Sequence, residues 1–169
     1  YIREYLDEET KKVIDDGFSA LCDKQGNYRG MNVNNQWMFT VTAVDAVYRA
    51  TGIKRHLDFA KRHIKGLANG AYSSRLGQSS AGYYIEGQGC DGSYHNLNHQ
   101  LIYTMYKEHK ASDKADSEIL TMLRESITKN MEFNSLFWVP QPEYTGAHGP
   151  NCFTARTDGP IDCIDHISY

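Results

Sequence analysis

Between Tyr83 and His99 the chain concentrates side chains that exchange protons. The run Tyr83-Tyr84-Ile85-Glu86-Gly87-Gln88-Gly89-Cys90-Asp91-Gly92-Ser93-Tyr94-His95-Asn96-Leu97-Asn98-His99 carries three tyrosines, two histidines, two asparagines and two carboxylates. Tyr and His act as general acids and bases once their environments tune them. The glycines let the backbone turn tightly and take positive φ. A loop that only joins two helices needs neither phenol nor imidazole, so this segment reads as the floor of an active site set on a rigid scaffold. The plainer alternative is a turn whose tyrosines pack and whose histidines are solvated. His95 and His99 lie four residues apart, one helical turn, and can share a face.

A second polar cluster, Asn32-Val33-Asn34-Asn35-Gln36-Trp37, stands just ahead of an apolar periodic stretch. One asparagine suffices to cap a helix. Three, with a glutamine and an indole, match the lining of a sugar cleft, where rings cover apolar sugar faces and amides bond hydroxyls. Tyr28 and Trp138 are further ring candidates for such a cleft, although core packing accounts for them equally well.

These residues must be positioned by helices. Ile2, Tyr5, Leu6, Val13, Ile14, Phe18 and Leu21 recur at helical spacing, with the polar run Asp7–Lys12 facing water. A second helix is expected over Gln36–Thr51, stopped by Gly52. A third runs over Lys54–Ala68, with Leu57, Ala60, Ile64 and Leu67 inside and Lys54, Arg55, Lys61, Arg62 and Lys65 solvated. The glycine-rich segment from Asn69 to Asn96 follows. A fourth helix holds Leu97, Leu101, Ile102, Met105 and Tyr106. A fifth, capped at Ser112-Asp113, holds Ile119, Leu120, Leu123, Ile127 and Met131. From Phe133 to Tyr169 no periodic stripe remains, a long stretch that reads as functional or as the partner of something else. No strand alternation stands out. The fold expected is all-α, with helices joined as antiparallel hairpins in one domain over residues 1–169. His56, His63 and His109 are expected at the surface.

Composition narrows the function. The chain has 169 residues, enough for one real core. Its net charge of -3 and pI near 6.2 lack the positive charge that drives nucleic-acid binding. No apolar run approaches the roughly 20 residues that span a bilayer, and no signal-peptide core is visible. The sequence starts inside a helical pattern at Tyr1–Leu6 and stops without a closing element, so it is expected to be part of a larger protein. Cys22, Cys90, Cys152 and Cys163 are scattered without a Cys-x-x-Cys pair. Cys163 and His166 lack the second close pair a zinc site would show, so no metal or cofactor is expected.

The helix, Thr-Gly break and helix over Val47–Lys61 resemble the joints of (α/α) toroids and barrels in carbohydrate-active enzymes. The amide-rich helix start with its Trp, followed some sixty residues later by Asp91-Gly92-Ser93-Tyr94-His95-Asn96, resembles the (α/α)-toroid polysaccharide lyases. The hyaluronate and chondroitin lyases, and the heparinase and alginate lyase relatives, pair an Asn-containing segment with an Asp-Gly-Ser-aromatic one. The likeness covers about Asn32 to Tyr106. The Asn34-Asn35-Gln36 run lacks the histidine of the heparinase-type Asn-His pair. The spacing of His95, His99, Tyr103 and Tyr106 also differs from that of the hyaluronate group. The resemblance implies an incomplete (α/α) toroid and β-elimination on an acidic, uronate-containing polysaccharide. It also implies a secreted or periplasmic location.

The residue types suit that chemistry. The C5 proton of a uronate is weakly acidic because the adjacent carboxylate resists more negative charge. Uncharged donors must therefore neutralise the carboxylate, as in an oxyanion hole. Asn35, with Asn34 and Gln36, is suited to this. Tyr94, His95 and His99 are the candidates for base and acid. Trp37, Glu86 and His148 are candidate substrate contacts, and Arg156 can hold a carboxylate bidentately. Two alternatives use the same scaffold. An (α/α)-barrel glycoside hydrolase, such as an unsaturated glucuronyl hydrolase, would draw on carboxylates among Asp45, Glu86, Asp91 and Asp158. A non-catalytic carbohydrate-binding helical domain would keep Trp37 and the tyrosines without needing His95 or His99.

Overall fold

A computed structural model describes residues 2–25, 34–68, 71–73, 76–86, 89–90 and 92–136. Asn32, Asp91, Trp138, His148, Arg156, Asp158, Cys152 and Cys163 lie outside the described residues. A 3-10 turn over Ile2–Tyr5 precedes α1 (Glu8–Gln25), α2 (Asn34–Thr51), α3 (Lys54–Ala68), α4 (Gly92–Lys110) and α5 (Ser117–Ser135). Between α3 and α4 lie two short antiparallel ribbons. β1 (Ala71–Ser73) pairs with β2 (Leu76–Gly77), β3 (Ile85–Glu86) pairs with β4 (Gly89–Cys90), and Gln78 bridges Tyr84. The described chain is mostly helical, as its periodicity predicts. The ribbons are too short for any alternation to register in sequence.

Local signals account for the boundaries. Asp7 accepts from the Thr10 amide at 2.8 Å and so satisfies a free N–H at the start of α1. Gly52 takes φ 73° and donates to the Tyr48 carbonyl at 2.7 Å, closing α2 in the left-handed conformation that glycine tolerates best. Helix α5 is capped by Asp116, whose Oδ1 accepts from Glu118 and Ile119 at 3.1 Å, and not by Ser112-Asp113. Ser112 instead accepts from the Lys114 amide and holds the preceding turn.

Two hairpins, α2/α3 and α4/α5, stack on one another. Helix α2 packs against α3 and α4, α4 against α5, and α3 against α5. The C-terminal halves of α2 and α4 meet through Asp45–His109 and Arg49–Glu108, and β3 touches both helices. Those two helices therefore run side by side in one direction and form one layer, with α3 and α5 in the other. Met38, Val41, Ile64, Leu67, Ile102, Met105, Ile119 and Leu123 fill the space between the layers and are almost entirely buried. Each contributes about 1.5–3 kcal/mol by leaving water.

Several expectations need correction. His56, His63 and His109 are buried, not at the surface. His56 contacts the Ser19 hydroxyl at 3.3 Å, and His63 packs between Trp37 and Phe59. His109 accepts the Asp116 N–H on Nε2 at 2.7 Å, so Nδ1 carries the ring proton and donates to Asp45 at 2.9 Å. Asp45 also binds Arg49 at 3.0 Å. Lys61 is not a solvated charge but pairs with Asp116 and Glu118 at the head of α5. On α5, Met131 is exposed, while Ser126, Asn130 and Phe133 turn inward. The helix also runs past Met131 to Ser135.

Helix α1 departs furthest from expectation. Val13, Phe18 and Leu21 are 66%, 53% and 55% exposed, and Phe39 of α2 is 50% exposed. Phe18, Leu21 and Phe39, with Cys22, Val44 and Val47, border an open apolar groove of about 560 Å³ between α1 and α2. Helix α1 reaches the body through Cys22, which packs with Val44 and Val47, and through an Arg55–Asp23 pair at 2.9 Å.

Asp45 pairs with the part-buried Arg49 and with the buried imidazole of His109 at once, and its loss leaves the buried His109 Nδ1–H without its acceptor. Asp45→Ala should lower unfolding stability by about 3–5 kcal/mol, measured by urea denaturation. Lys12→Ala, which breaks only the exposed Lys12–Asp16 pair, should leave the urea midpoint unchanged. Equal midpoints for Asp45→Ala and the parent chain would remove Asp45 from the joint.

Candidate functional site

Helix α4 begins at Gly92, so Tyr94, His95 and Asn96 belong to its first turns and not to the glycine-rich loop. The apolar pattern misses these turns because their inward side chains are polar. His95, Asn98 and His99 are all buried there.

His95 sits in a ring of hydrogen bonds that starts and ends on one loop. The Tyr84 N–H donates to His95 Nδ1 at 3.1 Å. A backbone amide can only donate, so Nδ1 carries no proton and the ring proton lies on Nε2. Nε2 then donates to Asn134 Oδ1 at 2.9 Å. Asn134 Nδ2 donates to Asn130 Oδ1 at 3.1 Å, and Asn130 Nδ2 donates to the Gly82 carbonyl at 3.3 Å. Gln78 closes the inner side, donating to the Gly82 and Ser126 carbonyls at 2.8 and 2.9 Å. The Tyr84 hydroxyl bonds Ser126 Oγ at 2.9 Å, and burial pushes that phenol above its ordinary pKa. The rings of Tyr83 and His95 pack on Phe133. Gly82 makes this approach feasible. It takes φ 103°, and a Cβ there would lie 2.2 Å from the Lys129 carbonyl oxygen.

His99 lies one turn on. It is 6% exposed, and its Nδ1 is buried without a hydrogen-bond partner. Its ring stacks parallel to Tyr103 at 6.4 Å, and Lys107 lies over the outer Tyr103 ring. Burial lowers the His99 pKa, opposed by hydrogen bonding with Asn130. Burial likewise pushes His95 down to about 4, against the Asn134 hydrogen bond and with the added effect of His99 nearby.

The other expected residues fall as follows. Tyr94 is half-buried on the first turn of α4, and its carbonyl accepts from Asn98 Nδ2 at 2.8 Å. Asn35 is buried on the first turn of α2, with Oδ1 accepting from the Gln36 amide at 2.7 Å. Asn34 opens α2, and Gln36 is exposed. Trp37 is buried against Phe59 and His63, with its indole N–H unpartnered. Glu86 ends β3. Because α2 and α4 run in the same direction, their first turns bring Asn35 and Tyr94 to the same end of the bundle. Asp45, the hydrolase candidate, sits toward the other end inside the Arg49–His109 joint. Among the described residues no group of three or more His, Cys, Asp or Glu could hold a metal ion, and no helix is long and apolar enough to cross a membrane. The chain matches no protein-family model, and no curated protein or solved structure matches it either.

The residues missed from sequence are Gln78, Ser126, Asn130 and Asn134, while Tyr84 stands in the glycine-rich run with no role of its own assigned. A signal for three of them was present. Ser126, Asn130 and Asn134 recur every four residues, a polar stripe on one side of α5.

Two outcomes follow from the ring. His95 titrates near 6.5 when unfolded and near 4 when folded. Between those values the unfolded chain takes the proton first, so stability falls as pH falls through this window, by up to roughly 3 kcal/mol. His63, pushed to about 4 chiefly by burial, acts in the same direction. Urea midpoints at pH 7 and pH 4.5 should therefore differ, and His95→Gln should flatten part of that slope; an unchanged slope in His95→Gln removes His95 as its source. Gly82→Ala should destabilise by several times the ~1 kcal/mol of an ordinary glycine replacement, because the Lys129 carbonyl cannot move without bending α5. A melting temperature equal to the parent's would contradict the close approach.

Proposed function

We propose that this chain belongs to the catalytic part of a polysaccharide lyase that cleaves uronic-acid-containing glycans by β-elimination. The stacked hairpins are taken as a segment of an (α/α) toroid, and the protein as secreted or periplasmic. The observation that carries this reading is His99, an imidazole with an unpartnered buried nitrogen, next to Tyr103 and one turn from Tyr94 and His95. A buried polar atom left without a partner is costly, and such atoms mark functional sites more often than ordinary core.

In this reading His99 is the base. Burial keeps it unprotonated at neutral pH, so its lone pair is available. It removes the C5 proton, the C5–H electrons form the C4–C5 double bond, and the C4–O bond breaks. Tyr94 protonates the departing oxygen. Asn35, with Asn34 and Gln36, donates to the uronate carboxylate and stabilises the charge that develops there. Trp37 borders the sugar-facing end of α2. Glu86, His148 and Arg156 are the proposed further substrate contacts. His95, with both ring nitrogens engaged, holds the loop against α4 and does not exchange the proton.

A panel of uronate polysaccharides tests the proposal by the ultraviolet absorbance of the conjugated unsaturated uronate. Parent protein and Lys12→Ala should generate the chromophore. Tyr94→Phe and His99→Ala should each lower the rate roughly 10²–10⁴-fold with unchanged circular dichroism. Consumption of a preformed chromophore would indicate the hydrolase instead. Binding without turnover in parent and variants alike would indicate a carbohydrate-binding domain.

A further inference from the structure

Helix α2 carries only two charged residues, Asp45 and Arg49, and they pair with one another. Of its described residues, those exposed are Gln36, Phe39, Ala43, Ala46 and Ala50. They recur at spacings of three, four, three and four, the pattern of a seam that packs against another helix. A helix without a charged face is ordinarily covered all round. Helix α1 presents a matching exposed stripe, Ile14, Phe18 and Leu21, spaced four and three. Both stripes run along the open groove, which Phe18, Leu21, Phe39 and Ala46 help to line. Among the described lining residues Asp15 alone is charged, and the Thr40 and Thr51 hydroxyls already donate to the Gln36 and Val47 carbonyls. The groove therefore offers little to a polar ligand and much to an apolar helix face.

We propose that this face is a self-association surface, on which a second copy of the chain docks about a two-fold axis with α1 of each copy against α2 of the other. The two stripes are complementary in size. The α1 stripe is bulky, while the α2 stripe continues beyond Phe39 as three alanines. A two-fold contact must be self-complementary, so that each copy receives what it presents. Setting α1 on the α2 of the other copy places Phe18 and Leu21 over the alanines, twice. Setting α1 on α1 would oppose bulk to bulk and leave both alanine stripes uncovered. Charge agrees with the first arrangement. The outward face of α2 is neutral, so exposed charges of α1 such as Lys12 and Asp16 meet no like charge there. Each helix has 18 residues and so is ~27 Å long. Side by side they offer a face on the order of the ~800 Å² per partner of a standard interface. This inference is independent of the lyase reading.

Sedimentation velocity over a concentration series into the high micromolar range tests it. The parent chain, 19.2 kDa as a monomer, should sediment as a particle of twice that mass. Phe18→Asp and Ala46→Glu place a charge in the seam from its two sides. Each should raise the dimer dissociation constant roughly 30-fold or more. Both positions are exposed, so circular dichroism should remain that of the parent, and Ala50→Lys serves as a second α2 variant should Ala46→Glu alter the helix. Thr121→Glu, exposed on α5, should stay dimeric. A parent that is monomeric throughout the series overturns the proposal. Uptake of an apolar dye by that monomer, lost in Phe18→Asp, would then give the groove to an apolar ligand or a foreign helix. A dimer that survives both Phe18→Asp and Ala46→Glu also overturns it, because the contact then lies elsewhere. Dissociation by Phe18→Asp and by neither α2 variant overturns the pairing of α1 with α2.

Discussion

A backbone amide that can only donate governs the chemistry of the α4–α5 face. The Tyr84 N–H points at His95 Nδ1 and leaves one neutral tautomer that satisfies it. From that assignment the direction of each later bond follows, through Asn134 and Asn130 to the Gly82 carbonyl. The ring joins a loop to itself by way of two helices. It therefore pins the ribbon segment between α3 and α4, which Leu76 and Tyr84 also anchor in the core. Burial holds the His95 pKa low, against the Asn134 hydrogen bond, so the ring keeps its neutral tautomer.

The joint at the other end of the bundle works differently. Asp45, Arg49 and His109 bring charge into a place with almost no water. The carboxylate is satisfied by two donors, and His109 spends its second nitrogen on the Asp116 amide. This links α2 and α4 to the start of α5, where Asp116 also caps the helix and meets Lys61 of α3. All four helices of the two hairpins thus meet within a few residues. A paired buried charge fixes geometry more than it adds stability. Its effect here is to hold α2 and α4 in parallel register, so that the first turn of one lies at the same end as the first turn of the other.

That register separates the roles of the two α4 histidines. They sit one turn apart on a helix, yet His95 has both nitrogens engaged and His99 keeps one unpartnered. The first is held within the hydrogen-bond ring, and the second is the proposed base. The amides of α5 stand behind His95. On the opposite flank, the open groove between α1 and α2 exposes more apolar surface than a helix of this kind usually leaves uncovered.

The sequence by itself determined the helices and most of their ends. Apolar spacing over Lys54–Ala68 and the Gly52 stop predict the α2/α3 hairpin nearly to the residue, because a local period and a left-handed glycine act within a few residues of themselves. It also singled out Tyr94, His95, His99 and Asn35 by type. Tertiary structure alone decided what those residues meet. Asn130 and Asn134 lie 35 and 39 residues from His95, and His109 lies 64 from Asp45, so no local pattern relates them. Histidine is compatible with surface or core, and its placement depends on whether a distant partner takes up both nitrogens. For the same reason the start of α4 carries no apolar signal of a helix. Its inward face is polar, and a polar face becomes a buried one only when another helix supplies matching donors and acceptors.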